Sequence, residues 1–233
     1  MPDTPTSTAV GHLLTLLQLT DSALPTGAFS HSLGLESYLN TSQVHDEKTF
    51  TIWLEKFLSQ SLVYSDGLVV RLAWEAADAA AIARVDQLVH AAAVPREIRE
   101  AGVKMGARML HVATSVFPTK ELSSYQEQIL AGECYGHPGV AFALGAKGAG
   151  APCPDTIAGY LFSTITSMTQ NAIRGIPIGQ DAGQRVLRAM HQPVLDAVAV
   201  IMGLAEYDLG AAAPGLEIAQ MRHEHQRARM FMS

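Results

Sequence analysis

Residues with the makings of chemistry gather at two places in this chain of 233 residues. The first is Asp21, Ser22 and His31, the residue types of a nucleophile, a base and an orienting acid. Such a set works only when hydrogen bonds link the three in turn, and nothing in this spacing supports that chain. The second is His223-Glu224-His225. Two histidines at i, i+2 diverge on a helix and do not make a chelating pair by themselves. The single histidines His12, His90, His111 and His191 read as structural. His31 and His223 are left as the candidates for touching a metal ion, and His31 is the better placed of the two. Cys134 and Cys153 form no CxxC pair for zinc or redox work. HExxH, GxSxG, a Walker lysine and the Rossmann glycine pattern are all absent. Gly145-Ala146-Lys147-Gly148-Ala149-Gly150 is glycine-rich but lacks the phosphate-loop order, and no β-branched strand precedes it. The chain is not expected to be an enzyme.

The element that must position His31 is the stretch Leu19 to Tyr38. Pro25 fixes its own φ and has no N–H, and Gly27 can take φ > 0, so the backbone breaks sharply there. Ser30 is a candidate N-cap for the helical pattern that follows, because its hydroxyl can accept a first-turn N–H. This corner pins Phe29 and His31 near a helix start. Two readings stay open: a recognition surface, or a helix–helix corner whose Phe29 plugs the core.

The remaining elements read as helices. Leu13 to Leu19 is too dense in leucine for a narrow stripe and reads as a buried helix. Phe50, Trp53, Leu54, Phe57, Leu58 and Leu62 recur at the spacing of one helix face, behind acidic Asp46 and Glu47. Gly67 marks an expected kink before Leu68, Val69 and Leu72. Pro95 suits the first position of another helix. Ser124-Tyr125-Gln126-Glu127 has the form of a capping box. Val140 to Gly150 is rich in small residues that let helices approach closely. A strong helix starts at Pro154-Asp155 and stops with Gly175 at C′ and Pro177 beyond. The next runs from Gln180 to about Glu206, with Pro193 expected to kink it. Met1 to Thr8 reads as a frayed tail. Leu209 to Pro214 is a linker to a polar end whose Met230, Phe231 and Met232 either dock on the body or await a partner that orders them.

No sustained period-two alternation and no internal repeat is present. The class is all-α: one bundle of roughly eight to ten helices, divided as tail 1–8, body 9–208, and linker with partner-binding tail 209–233. Net charge of −6 argues against nucleic acid, which demands basic stripes. Two cysteines make a reducing compartment the default. There is no signal-peptide pattern and no run long enough to span a membrane, so the expected location is the cytoplasm.

Three stretches resemble one family. Leu24-Pro25-Thr26-Gly27-Ala28-Phe29-Ser30-His31-Ser32-Leu33-Gly34-Leu35-Glu36 is similar to the N-terminal signature of the UreF family of urease accessory proteins. Ile178-Gly179-Gln180-Asp181-Ala182-Gly183-Gln184-Arg185-Val186-Leu187 and the ending His223-Glu224-His225-Gln226-Arg227-Ala228-Arg229-Met230-Phe231-Met232-Ser233 match the same family, in the right order. Met230 stands where leucine is usual, and Arg174 where many relatives carry lysine. The resemblance implies a non-catalytic, all-α adaptor that tends to dimerise. Together with the UreD (UreH) scaffold it would recruit the nickel-carrying UreG GTPase and help deliver nickel to the urease apoprotein. No cofactor of its own is implied: nickel is handled by the complex, and GTP is bound by the partner. Carried over by motif position, partner binding falls on Pro25, Gly27, Phe29, Ser30, His31, Gly34 and Glu36. It falls also on Gln180 and Gln184, and on His223, Glu224, Arg229, Phe231 and Ser233. Arg174 matches a position linked to control of the GTPase step. The alternatives are a helical nickel-binding protein and an unrelated helical enzyme.

Overall fold

A small-residue helix sits at the centre. In a computed structural model describing residues 6–211 and 213–233, α8 (Pro138–Gly148) is buried from Pro138 to Ala146. Its alanines and glycines let α4 (Leu68–Glu75) and α6 (Arg96–Val116) pack directly on it. At Gly106 of α6 a Cβ would stand 2.3 Å from the carbonyl oxygen of Gly136, so only glycine fits that crossing.

The chain begins with α1 (Thr6–Leu19), which lies against α8 and against α9 (Cys153–Gly175). The helix expected to be buried is buried only on one side. Leu16 and Leu19 are covered, while Val10, Leu13, Leu14 and Leu17 face outward, because α1 packs at the edge of the bundle and only one stripe can reach it. The frayed tail expected over residues 1–8 falls on 1–5, outside the described residues, and on a helix that starts at Thr6.

A 3-10 turn (Ala28–Ser30) and α2 (Leu35–Asn40) follow. α3 (Glu47–Phe57) starts at Asp46, whose carboxylate accepts the Thr49 N–H at 2.8 Å. A π-helical stretch, Leu58–Gly67, joins α3 to α4. The expected distortion is two residues earlier than Gly67, at Ser65 (φ −118, ψ −105). Gly67 itself is helical, and its Cβ position is taken by Ile201 Cδ1 at 2.5 Å. Then come α5 (Ala79–Ala92), α6, and α7 (Lys120–Leu130). Pro95 is the N-cap of α6, not its first turn. The capping box expected at Ser124 lies inside α7, which is capped by Thr119 at 3.1 Å to the Leu122 N–H. Phe117-Pro118 stops α6 just before Thr119, leaving that residue extended and free to cap.

α9 ends at Gly175, which has no positive φ and is the last helical residue. The glycine serves a close approach there: Leu39 Cδ1 lies 2.5 Å from its Cβ position. The expected kinked helix from Gln180 is two helices, α10 (Gln180–Ala189) and α11 (His191–Gly203). Pro193 sits in the first turn of α11, where its missing N–H would have had no helical partner. A 3-10 turn (Glu206–Asp208) and α12 (Pro214–His223) complete the order. The order holds twelve α-helices, and no strand occurs among the described residues. The class is all-α.

A buried carboxylate stiffens the α7–α8 connection. Asp86, fully buried on α5, accepts the Tyr125 hydroxyl at 2.5 Å and the N–H groups of Tyr135 at 2.6 Å and Gly136 at 3.1 Å. The Tyr125 oxygen in turn accepts the His137 N–H at 2.7 Å. Burial, with the Asp86 charge beside it, raises the Tyr125 pKa far above its usual value, so the ring stays a donor.

Candidate functional site

The corner after α1 is built by local bonds. Asp21 Oδ1 accepts the Ala23 N–H at 2.7 Å, and its carbonyl accepts Leu24 N–H at 2.9 Å. Gly27 (φ 82) turns the chain into the 3-10 turn, whose carbonyls accept from Ser30 and His31. Ser30 closes this turn and caps nothing. The N-cap of α2 is Gly34 at φ 98, preceded by Leu33 at φ 51. Two successive left-handed residues aim the Leu33 carbonyl at Gln220 Nε2, 3.0 Å away. A Cβ on Gly34 would meet Gln220 Cγ at 2.8 Å, so this corner and α12 are fitted to one another.

Residues 230–233 lie along the same corner. Ser32 donates its N–H to the Ser233 oxygen at 2.6 Å, and Met232 donates to the Ser30 carbonyl at 2.8 Å. His31, buried, meets Ser233 Oγ through Nδ1 at 2.8 Å, while its carbonyl accepts from Asn171 Nδ2 at 2.8 Å. Burial and then the nearby Lys104 ammonium hold its pKa below the ordinary histidine value, with Glu97 acting in the opposite sense. Alternation is strict here: Met230 and Met232 are exposed, Phe231 and Ser233 buried.

Below this strip Glu36, His223, Glu97 and Arg229 form one chain of contacts. Glu36, at 4% exposure, accepts His223 Nε2 at 2.9 Å, the Met230 N–H at 2.6 Å and the Phe231 N–H at 3.1 Å. His223, with no exposure, turns Nδ1 to Glu97 Oε2 at 2.7 Å. Arg229 donates to Glu97 Oε1 at 2.6 Å. A buried charge is costly unless paired and hydrogen-bonded, and here each carboxylate has a cationic or N–H partner on both oxygens. Next to Glu97, Arg96 binds Glu224 at 2.9 Å.

Arg174 ties corner to tail. Its guanidinium donates to the Phe29 carbonyl and to Asn171 Oδ1. It also lies 4.8 Å from the Phe231 ring centroid and 6.0 Å from that of Phe29. Phe29 is 60% exposed, which excludes the reading in which it plugs the core.

Of the residues singled out by sequence, Gly27, Phe29, Ser30, His31, Gly34, Glu36, Arg174, His223, Glu224, Arg229, Phe231 and Ser233 come together here. Pro25 borders them, its carbonyl accepting from Arg108 Nε at 3.2 Å. Gln180 and Gln184 do not join. They are exposed on α10, with no hydrogen bond to a described side chain. Asp21, Ser22 and His31 make no triad, since the Asp21 carboxylate and the His31 ring are engaged elsewhere. Among the described residues no group of three His, Cys, Asp or Glu could hold a metal ion, and both ring nitrogens of His223 already face carboxylates. Sequence reasoning missed Glu97, Asn171 and Lys104. Only the acidic first turn of α6 hinted at Glu97.

Comparison with known proteins is consistent over nearly the whole chain. A family model described as UreF matches residues 44–191. The chain is 52% identical over 220 residues to the urease accessory protein UreF of Paenarthrobacter aurescens (strain TC1), covering 94% of this chain and 97% of that one. It is also 52% identical over 225 residues to the protein of that name from Arthrobacter sp. (strain FB24), covering 97% and 99%. With the one from Kocuria rhizophila (strain ATCC 9341 / DSM 348 / NBRC 103217 / DC2201) it shares 47% over 226 residues, covering 95% and 97%.

Proposed function

This chain belongs to the UreF family of urease accessory proteins, and we propose that it acts as a non-catalytic adaptor in nickel delivery. In this reading the chain works in the cytoplasm as a homodimer and docks on the UreD/UreH scaffold. The pair recruits the UreG GTPase, and nickel passes as cargo to the urease apoprotein. The observation that supports it best is the seating of residues 230–233 on the Pro25–Glu36 corner, which presents Phe29, Arg174 and the tail as one surface. A docking surface works by shape and charge held in place, and that is what a rigid corner and a pinned tail supply.

The test is co-purification of the scaffold and GTPase with the full chain and with a chain lacking Arg222 to Ser233, alongside urease activation in cells. Loss of both partners by the truncated chain, with its helical circular dichroism kept, is the expected result. Undiminished capture of both partners by the truncated chain refutes the reading.

A further inference from the structure

The ring of His223 lies between two carboxylates, with Nε2 at 2.9 Å from Glu36 Oε2 and Nδ1 at 2.7 Å from Glu97 Oε2. A neutral imidazole carries one N–H and one lone pair. At these distances it satisfies one carboxylate, and its lone pair then faces the other, acceptor against acceptor. Little water can relieve that contact, because His223 and Glu36 are buried and the Glu97 side chain is 13% exposed. Two hydrogen bonds from one ring require an N–H on each nitrogen, or else a proton on one of the carboxylates. The other donors in the cluster decide between these. Glu36 also accepts the Met230 and Phe231 N–H groups, and Glu97 accepts Arg229 at 2.6 Å. Such donors favour the ionised carboxylate, so the extra proton belongs to the ring. Two carboxylates against an imidazolium and a guanidinium then leave no net charge in the cluster.

We infer that seating the C-terminal tail binds one proton in the Glu36–His223–Glu97 cluster, so that the tail is held while that proton is bound and loosens as pH rises. Each element around the cluster contributes to it: α2 supplies Glu36, α6 Glu97 and α12 His223, and the tail closes it with Arg229 and the Met230 and Phe231 N–H groups. When the tail lifts, water reaches both carboxylates and the ring no longer needs its second N–H. Opening therefore releases a proton, and alkaline conditions favour it. The other charged groups nearby do not imitate this dependence. Arg96 is paired with Glu224 at 2.9 Å and with Glu100 at 3.5 Å. His31, on the corner, is held to a low pKa by burial and by Lys104 of α6, so it titrates on the acid side and in the opposite sense. The inference concerns how the tail is held and not what meets it, and it stands or falls apart from the docking reading.

The experiment follows amide exchange at Met230, Phe231 and Met232 in the full chain between about pH 6 and about pH 9, a range that brackets the loss of a proton from an imidazolium held by carboxylates. Results are expressed as protection factors, which divide out the intrinsic pH dependence of exchange, with the α8 amides as reference. The wild-type tail is expected to lose protection by close to tenfold per pH unit over at least one unit, the slope of one released proton, while α8 holds. Glu97→Gln is the discriminating variant. Its oxygen can face Arg229 while its amide N–H donates to a neutral Nδ1, so the ring needs no extra proton. The tail of that variant should stay seated, its protection changing by less than about threefold over the same range. If Glu97 were only a packing group, the substitution would lower protection at every pH and keep the wild-type slope. Nitrogen-15 NMR of the wild-type His223 ring is the second measurement, and it decides the matter should the variant's tail open at every pH. Both ring nitrogens are expected to carry a proton at about pH 6, one being lost over the interval in which tail protection falls. Wild-type tail protection that is absent throughout or flat within about threefold, a variant with the wild-type slope, or a neutral ring at about pH 6 each overturns the inference.

Discussion

Replacing Glu36 by Gln isolates the bond set that seats the tail. The carboxylate takes three donors: His223 Nε2 at 2.9 Å, Met230 N–H at 2.6 Å and Phe231 N–H at 3.1 Å. Gln keeps the shape but offers one oxygen, and its amide must turn an N–H at one of those donors. Best placed, the oxygen serves His223 and Phe231, and Met230 loses its acceptor. One orphaned buried donor costs about 1–3 kcal/mol, and weakening of the remaining charge-assisted bonds adds about 1 kcal/mol or more. The tail has an alternative to bearing that cost, because residues 224–233 can lift off while the helices stay packed. The loss should therefore be felt first as local opening. At about 1.4 kcal/mol per factor of ten, some 3 kcal/mol lowers hydrogen-exchange protection at the Met230 and Phe231 amides about 100-fold. Protection in α8 should hardly move. Amide exchange followed by mass spectrometry or NMR reads both regions at once. Met230 and Phe231 protection within about threefold of wild type would refute the reasoning that Glu36 holds the tail. Glu97→Gln is the companion: it weakens the contacts to Arg229 and His223 but leaves both backbone bonds, so the tail amides should lose clearly less protection.

Other expectations follow from single contacts. Phe29→Ala should shift unfolding free energy by no more than about 1 kcal/mol, because the ring is mostly exposed and its contact with Arg174 is modest; scaffold capture should nonetheless be lost, and a stable variant that still captures scaffold contradicts the docking role. Gly106→Ala forces a methyl to 2.3 Å from a backbone oxygen and should cost about 3 kcal/mol in urea unfolding, at the upper end of overpacking penalties since backbone cannot swing aside; a cost below about 1 kcal/mol would show that the α6–α8 crossing is looser than described. His31 has a depressed pKa when folded, so the folded chain binds fewer protons than the unfolded one below about pH 6.5. Stability should fall as pH drops through that value, and His31→Asn should flatten the fall; parallel pH profiles for the two chains between about pH 5 and pH 7 would remove His31 as a source.

Much of this molecule is a matter of local pattern. The apolar spacing of Phe50 to Leu62, the Asp46 cap, the break at Pro25 and Gly27, and the small residues of α8 are settled by backbone sterics and by which face of a helix must leave water. Such rules act over a few residues, so the helical class and the position of the corner can be read from the chain alone, and its motifs place it in a family. Where two local signals compete, neighbours in space decide. Thr119 outbids Ser124 as a cap because Pro118 ends the previous helix beside it, and Gly175 is set by Leu39 arriving from α2. The site is the far case. Glu97 meets His223 across 126 positions and Glu36 meets Phe231 across 195, and no periodicity spans such gaps. Burial makes those partners obligatory: once packing removes water from His223 and Glu36, each polar group must find a hydrogen-bonding partner, and only the folded arrangement of α2, α6, α12 and the tail determines which one it finds.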